Sequence, residues 1–201
     1  MPSSIKLLIG LGNCDPEYTR TRHNAGFWLL DKLAASSGSS FFRQARFHGD
    51  VSRVIFDDVD CRLIKPATYM NESGRAVQAV INYYKLAIED ALVVHDDIDL
   101  EPGVVRLKRG GGHGGHNGLR DIIDKVSSND FLRLRIGIGH PGQPDAVTPY
   151  VLGRAGLDDQ RMIDKAIDRA LNCMPLIIMG EFEKAMNELH GSEKLKGESE
   201  K

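Results

Sequence analysis

The sequence predicts one α/β domain: a mixed, mostly parallel twisted sheet flanked by helices on both faces. It should span residues 1–190, with a polar tail at 191–201 that is expected to be disordered. Three observations predict this. Ile5–Leu11 and Ala91–Val94 are short apolar runs of the kind that sit buried on both sides in an α/β sheet. Segments with helical apolar spacing alternate with such runs. And the 201 residues contain neither an internal repeat nor a linker long enough to divide them.

Taken in order, Ile5–Leu11 is the first strand and leaves through the turn residues Gly12, Asn13, Cys14, Asp15 and Pro16. His23 and Asn24 then precede a helix whose stripe is Phe27, Leu30, Leu33 and Ala34, with Asn24 as its N-cap. Ser36–Ser40 is small and polar, a loop. Val51–Phe56 and Val59–Ile64 read as a hairpin turned at Asp57-Asp58, ended by Pro66. After TYMNESG, the residues Ala76, Val77, Val80, Ile81 and Tyr84 mark a second helix. Ala91–Val94 is a strand leading into HDDIDLEPG, and Val104–Lys108 is a further strand. Leu119, Ile122, Ile123 and Val126 mark a third helix starting near His116 or Asn117. LRLRIGIG then alternates, with Leu132, Leu134, Ile136 and Ile138 on one face and Arg133 and Arg135 on the other. Met162, Ile163, Ala166, Ile167 and Ala170 form a long amphipathic helix that Pro175 should end or kink. Phe182, Ala185, Met186 and Leu189 give a last short helix.

Composition narrows the function. An apolar content of 41%, a charged content of 27% and a formal net charge of −2 suit a soluble protein, not one coated in positive charge for indiscriminate nucleic-acid binding. A local basic face remains compatible with that total. Cys14, Cys61 and Cys173 are unclustered, which points to neither a disulfide framework nor a zinc site. No leader and no apolar run of membrane-spanning length is visible, so a reducing cytoplasm is the expected location.

The stretch RLKRGGGHGGHNGLRD, Arg106–Asp121, carries the strongest local signal. Gly110, Gly111, Gly112, Gly114 and Gly115 call for positive φ or a close approach. Arg106, Lys108 and Arg109 precede them and a helix start follows, a combination that favours an anion such as phosphate. A flexible surface loop with a tight turn into the helix is the alternative. Neither the Walker A pattern nor a strand-borne GxGxxG is present.

Polar groups also gather where strands end: Asn13, His95-Asp96 and the glycine stretch, with His23 and Met70-Asn71 opening helices. Each has a structural explanation alone, as turn residue, N-cap or packed imidazole. Together they supply a water-activating hydrolase: His23 as base near neutral pH, a carboxylate to orient it, and the amides of Asn13 and Asn71 to hold a carbonyl. No serine sits in a GxSxG elbow. Cys14 is adjacent to Asn13 but only in sequence, and no metal site is expected from scattered histidines.

GLGN at Gly10–Asn13, TRHNAG at Thr21–Gly26, TYMNESG at Thr68–Gly74, HDDIDL at His95–Leu100, GGGHGGHNGLRD at Gly110–Asp121 and RLRIGIGHP at Arg133–Pro141 together resemble bacterial-type peptidyl-tRNA hydrolase. The likeness runs from Ile5 to His190. It implies a monomeric, cofactor-free esterase that cuts the bond between a peptide's C-terminal carbonyl and the 3′-terminal ribose of tRNA. It implies His23 as catalytic base, Asp96 as its partner, and Asn13 as the group separating N-blocked from free aminoacyl substrates. Tyr18, Tyr69, Asn71 and Asn117 would contact substrate, Met70 and His116 would line the site, and Lys108 and Arg135 would hold the tRNA 5′-phosphate. Where the family usually has Pro-Gly after the Asn, this chain has Cys14-Asp15, and Tyr69 stands where Phe is common. The resemblance implies peptidyl-tRNA as partner, with no membrane and no required protein partner. A non-catalytic RNA-binding or processing protein on the same fold is the other reading, and a pure binder has no chemical reason to keep Asn13, His23, Asn71 and Asp96.

Overall fold

Strand Leu7–Gly10 (β1) is buried at every position, and Ala91–Asp97 (β5) at all but its last. These two lie side by side and parallel at the centre of a seven-stranded sheet. The computed structural model describes residues 4–191, so the tail expected to be disordered lies, beyond Gly191, outside the described residues. The remaining strands are Phe42–Gln44 (β2), Gly49–Phe56 (β3), Val59–Pro66 (β4), Val105–Arg109 (β6) and Leu132–Gly137 (β7), in the sheet order β2-β3-β4-β1-β5-β7-β6. β4, β1, β5 and β7 run parallel; β3 and β6 run against them. The helices are Ala25–Ser36 (α1), Ser73–Tyr84 (α2), Asn117–Val126 (α3), Val147–Val151 (α4), Leu157–Ile178 (α5) and Phe182–Gly191 (α6).

Strand alternation sorts the side chains into two cores. Leu8, Leu63, Leu92, Val94, Leu132 and Leu134 face α1, α5 and α6; Leu7, Ile9, Ile64 and Val93 face α2 and α3. Helices therefore cover both faces, as expected. After β1 the chain leaves towards β4 on one side of the sheet, and α2 then carries it back to β5 on the other. Ligand crevices in open α/β sheets form at such a reversal, outside the carboxyl ends of the strands.

Gly26 explains how α1 reaches that crevice. A Cβ there would collide with the carbonyl oxygen of Val94 and the backbone of Leu11, so only glycine lets the helix start press onto the ends of β1 and β5. The residues just before it, Arg22–Asn24, form one 3₁₀ turn and are all buried.

Several expectations need correction. Asn24 makes no cap bond to α1; its carboxamide is committed to Asn13 instead. Pro175 does not end its helix, which continues to Ile178. A proline inside a helix costs about 3 kcal/mol, and the burial of Met174, Ile177 and Ile178 around it offsets that cost. Met162 is 37% exposed rather than part of the buried stripe. The three-residue edge strand β2 and the five-residue α4 carry too few periodic positions to be seen in sequence.

Candidate active site

An open cavity of about 990 Å³ lies across the carboxyl ends of β1, β4 and β5. Its wall contains Asn13, Tyr18, His23, Tyr69, Met70, Asn71, Asp96, Lys108, His116, Asn117 and Arg135, so the structure brings every sequence-predicted site residue into one place.

At the floor, His23 Nδ1 lies 2.9 Å from both carboxylate oxygens of Asp96. His116 Nε2 lies 3.0 Å from Asp96 Oδ1. Strand parity makes the first pairing possible: Asp96 follows Val94 onto the α1 face, whereas Asp97 points to the opposite face and pairs with Arg135 at 2.7 Å. The hydrogen-bond partners assign both tautomers. His116 is the N-cap of α3, and its Nδ1 accepts the backbone N–H groups of Gly118 and Leu119. Its proton therefore sits on Nε2 and is donated to Asp96. His23 donates from Nδ1 to the same carboxylate, which leaves its Nε2 lone pair for the cavity.

Burial alone would make the His23 imidazolium less stable, but the Asp96 carboxylate outweighs it and raises the pKa above the ordinary imidazole value. Burial would likewise push Asp96 up, yet its two imidazole partners hold it well below the usual carboxylate range. His95 donates from Nδ1 to the Asp96 carbonyl at 2.7 Å. Its burial, reinforced by His116, lowers its pKa to about 4, so it stays neutral at working pH. Sequence reasoning gave this histidine no role, although its place next to Asp96 in a buried strand was the available signal.

Asn13 is held from two sides. Its Oδ1 accepts the Met70 N–H at 3.2 Å, which orients the carboxamide and leaves Nδ2 as the group able to donate. Asn71 and Asn117 are exposed on the rim, and Tyr69 is 69% exposed.

His23, Asp96 and His116 could in number form a three-ligand metal site, since their ligand atoms lie within 4.8 Å of one another. The protonation pattern works against it. A metal on His116 Nε2 would move that proton to Nδ1, against two N–H donors at the start of α3. Cys14 is exposed and outside the cavity wall, and burial together with Asp15 raises its thiol pKa, so nothing activates it as a nucleophile.

The glycine stretch differs from expectation in one respect. Gly110, Gly111, Gly114 and Gly115 do take positive φ, between 55° and 102°. The amides at the α3 start, however, are occupied by His116 rather than open to an anion. The loop is instead held by Arg133, whose guanidinium donates to the carbonyls of Gly111 and Gly112. Arg106 and Lys108 of β6 face Arg135 and Arg133 of β7 in register, giving a basic strip beside the cavity.

One wall escaped the sequence entirely. α4 contributes Val147, Thr148 and Val151 to the cavity. It is tied to the His23 turn by Arg22, which donates to the carbonyls of Tyr150 and Arg154 and stacks 3.9 Å above the Tyr150 ring. Arg22 is itself only 8% exposed.

Comparison with known proteins points the same way. The family model described as peptidyl-tRNA hydrolase matches residues 7–198. A peptidyl-tRNA hydrolase of Halorhodospira halophila is 52% identical over 185 residues, 92% of this chain and 95% of that one. That of Pseudoalteromonas translucida is 50% identical over 189 residues, 94% of this chain and 97% of its own. The crystal structure of the Acinetobacter baumannii enzyme superposes with a TM-score of 0.91 at 47% identity, covering 94% of this chain and 96% of that one. With its fold and its sequence both shared along nearly the full length, the chain belongs to the peptidyl-tRNA hydrolase family.

Proposed function

We propose that this hydrolase cleaves the ester between a peptidyl or N-blocked aminoacyl group and the 3′-terminal ribose of tRNA by water that His23 activates. His23 Nε2 takes a proton from water as the water oxygen bonds to the ester carbonyl carbon. Asn13 Nδ2 donates to the carbonyl oxygen as negative charge develops there, with Asn71 beside it on the rim. As the carbon–oxygen bond to the ribose breaks, His23 returns its proton to the departing 3′-oxygen, so the protons balance. Asp96 holds the ring in the required tautomer and stabilises the imidazolium between the two steps, and His116 shares that carboxylate. Tyr18, Tyr69, Met70 and Asn117 contact the acyl group and the tRNA 3′ end, while Lys108 and Arg135 receive the 5′-phosphate. No step calls for a cofactor.

The observation that carries this reading is the His23–Asp96 pairing at 2.9 Å in the same cavity as the free donor of Asn13. A non-catalytic RNA binder has no use for a base whose tautomer is fixed in this way. The enzyme works on tRNA as a monomer in the cytoplasm; no helix among the described residues is long and apolar enough to cross a membrane. The decisive assay follows release of N-acetyl amino acid from N-acetyl-aminoacyl-tRNA, with the unblocked aminoacyl-tRNA as control. Wild type should favour the blocked substrate, and His23→Ala should lose roughly 10²–10⁴-fold in turnover while still binding tRNA. Near-normal turnover in that variant would refute the assignment.

A further inference from the structure

Asn24 follows His23 in the same buried 3₁₀ turn and is 2% exposed. Helix-start asparagines ordinarily cap, but this one makes no cap bond to α1. Its side chain reaches Asn13, eleven positions earlier in the chain, and pairs with that residue's main chain in both directions. Asn13 N–H donates to Asn24 Oδ1 at 2.9 Å, and Asn24 Nδ2 donates to the Asn13 carbonyl at 3.0 Å. The carboxamide thus imitates a neighbouring strand, satisfying both backbone groups of one residue.

The loop needs such a partner in this chain. Asn13 has left β1, which ends at Gly10, and Cys14 and Asp15 beside it are exposed. The proline that the family usually has directly after the Asn would have fixed φ there; Cys14 does not. Met70 orients only the side chain of Asn13, through Oδ1. Its main chain is fixed from the turn that carries the base.

We infer that Asn24 is a positioning residue for the hydrolysis, a clamp that sets the separation between the carbonyl-binding amide of Asn13 and the imidazole of His23. It touches neither substrate nor water and acts through Asn13. The inference rests on the reading of Asn13 given above. Because Asn24 is bonded covalently to His23 and non-covalently to Asn13, a shift of one drags the other, and the donor and the base stay matched. A displacement of about 1 Å between reacting groups can cost on the order of 100-fold in rate.

A double-mutant cycle on the full chain tests this, with N-acetyl-aminoacyl-tRNA as substrate. Asn24→Ala should lower kcat/KM about tenfold or more, and Asn13→Ala on the order of 10²-fold. The double variant should be no slower than Asn13→Ala alone, within about twofold, because the clamp has nothing left to position. The pH midpoint of kcat/KM, set by His23 and Asp96, should stay where it is in Asn24→Ala. Asn24→Ser, smaller and still polar, replaces the alanine variant if that one does not fold, with the same non-additivity expected. Losses that multiply, or a midpoint that moves with Asn24, would overturn the clamp while leaving Asn13 in its role. If Asn13→Ala itself proves harmless, the assignment of Asn13 falls and the clamp falls with it.

Discussion

Asp96 accepts a hydrogen bond from two imidazoles while sealed from solvent, and that arrangement decides the chemistry of His23. Burial disfavours both charged forms, so the pair persists because each partner supplies what the other lacks. The sign of the His23 shift fixes the pH behaviour. Its pKa is raised above the ordinary imidazole value of about 6.5, so the unprotonated base grows in only as pH climbs past that value. We predict that kcat/KM rises with pH to a plateau, with a midpoint above about 6.5. Asp96→Asn removes the attraction and leaves the burial, so its midpoint should fall below the wild-type one and its plateau should drop at least tenfold. A midpoint that Asp96→Asn leaves unmoved would rule out the coupling. At this scale the sequence was legible only in part. His23 and Asp96 are 73 residues apart, and composition could not choose among Asp96, Asp97 and Asp99. Strand parity could have: counting from the apolar Leu92 and Val94 puts Asp96, and not Asp97, on the side where α1 begins.

The strands and helices were more readable than their ends. The β3–β4 hairpin, α2, α3 and α6 follow directly from apolar period and turn residues. The failures share a cause: side chains whose partners lie far off in sequence. Asn24 looked like a cap because a cap partner is local, and its real partner is not. Pro175 was expected to end or kink its helix, and it does not end it there because the burial that carries the helix on to Ile178 comes from the sheet. Gly26 shows how much one position in an element can decide. A methyl group there must push the α1 start away from β5 and the 3₁₀ turn with it. Gly26→Ala should cost about 3 kcal/mol or more, read as a shift in urea midpoint. It should also reduce hydrolysis by more than the loss of folded protein accounts for, since His23 rides on that turn. A variant of wild-type stability and rate would show that α1 is not seated as described.

For the molecule as a whole, a formal charge of −2 coexists with a strip of Arg106, Lys108, Arg133 and Arg135 beside the cavity. In the proposed function, recognition of the polyanionic tRNA rests on that strip, and its members are not equivalent. Arg133 is spent on the glycine loop, and Arg135 is already paired with Asp97. Lys108 is exposed, with its ammonium close to Gly111. Affinity for tRNA should therefore fall with salt, and Lys108→Ala should flatten the log K against log salt slope by about 0.7–0.9. Arg135→Ala should flatten it less, because the charge of that guanidinium is already balanced by Asp97. Equal slopes for wild type and Lys108→Ala would remove the 5′-phosphate from this strip. Fold class and family were evident from the amino acids alone. The division of labour among the cations was not, because it depends on which carbonyl or carboxylate each one meets.

One imidazole, His116, ends up with two employers: the opening turn of α3 and the buried carboxylate. When that turn frays on warming, the carboxylate loses a donor at the same moment, with no global unfolding required. Helix starts open more readily than sheet centres do. Heat should therefore silence the enzyme while its far-UV signal is still native, and cooling should restore it just as readily.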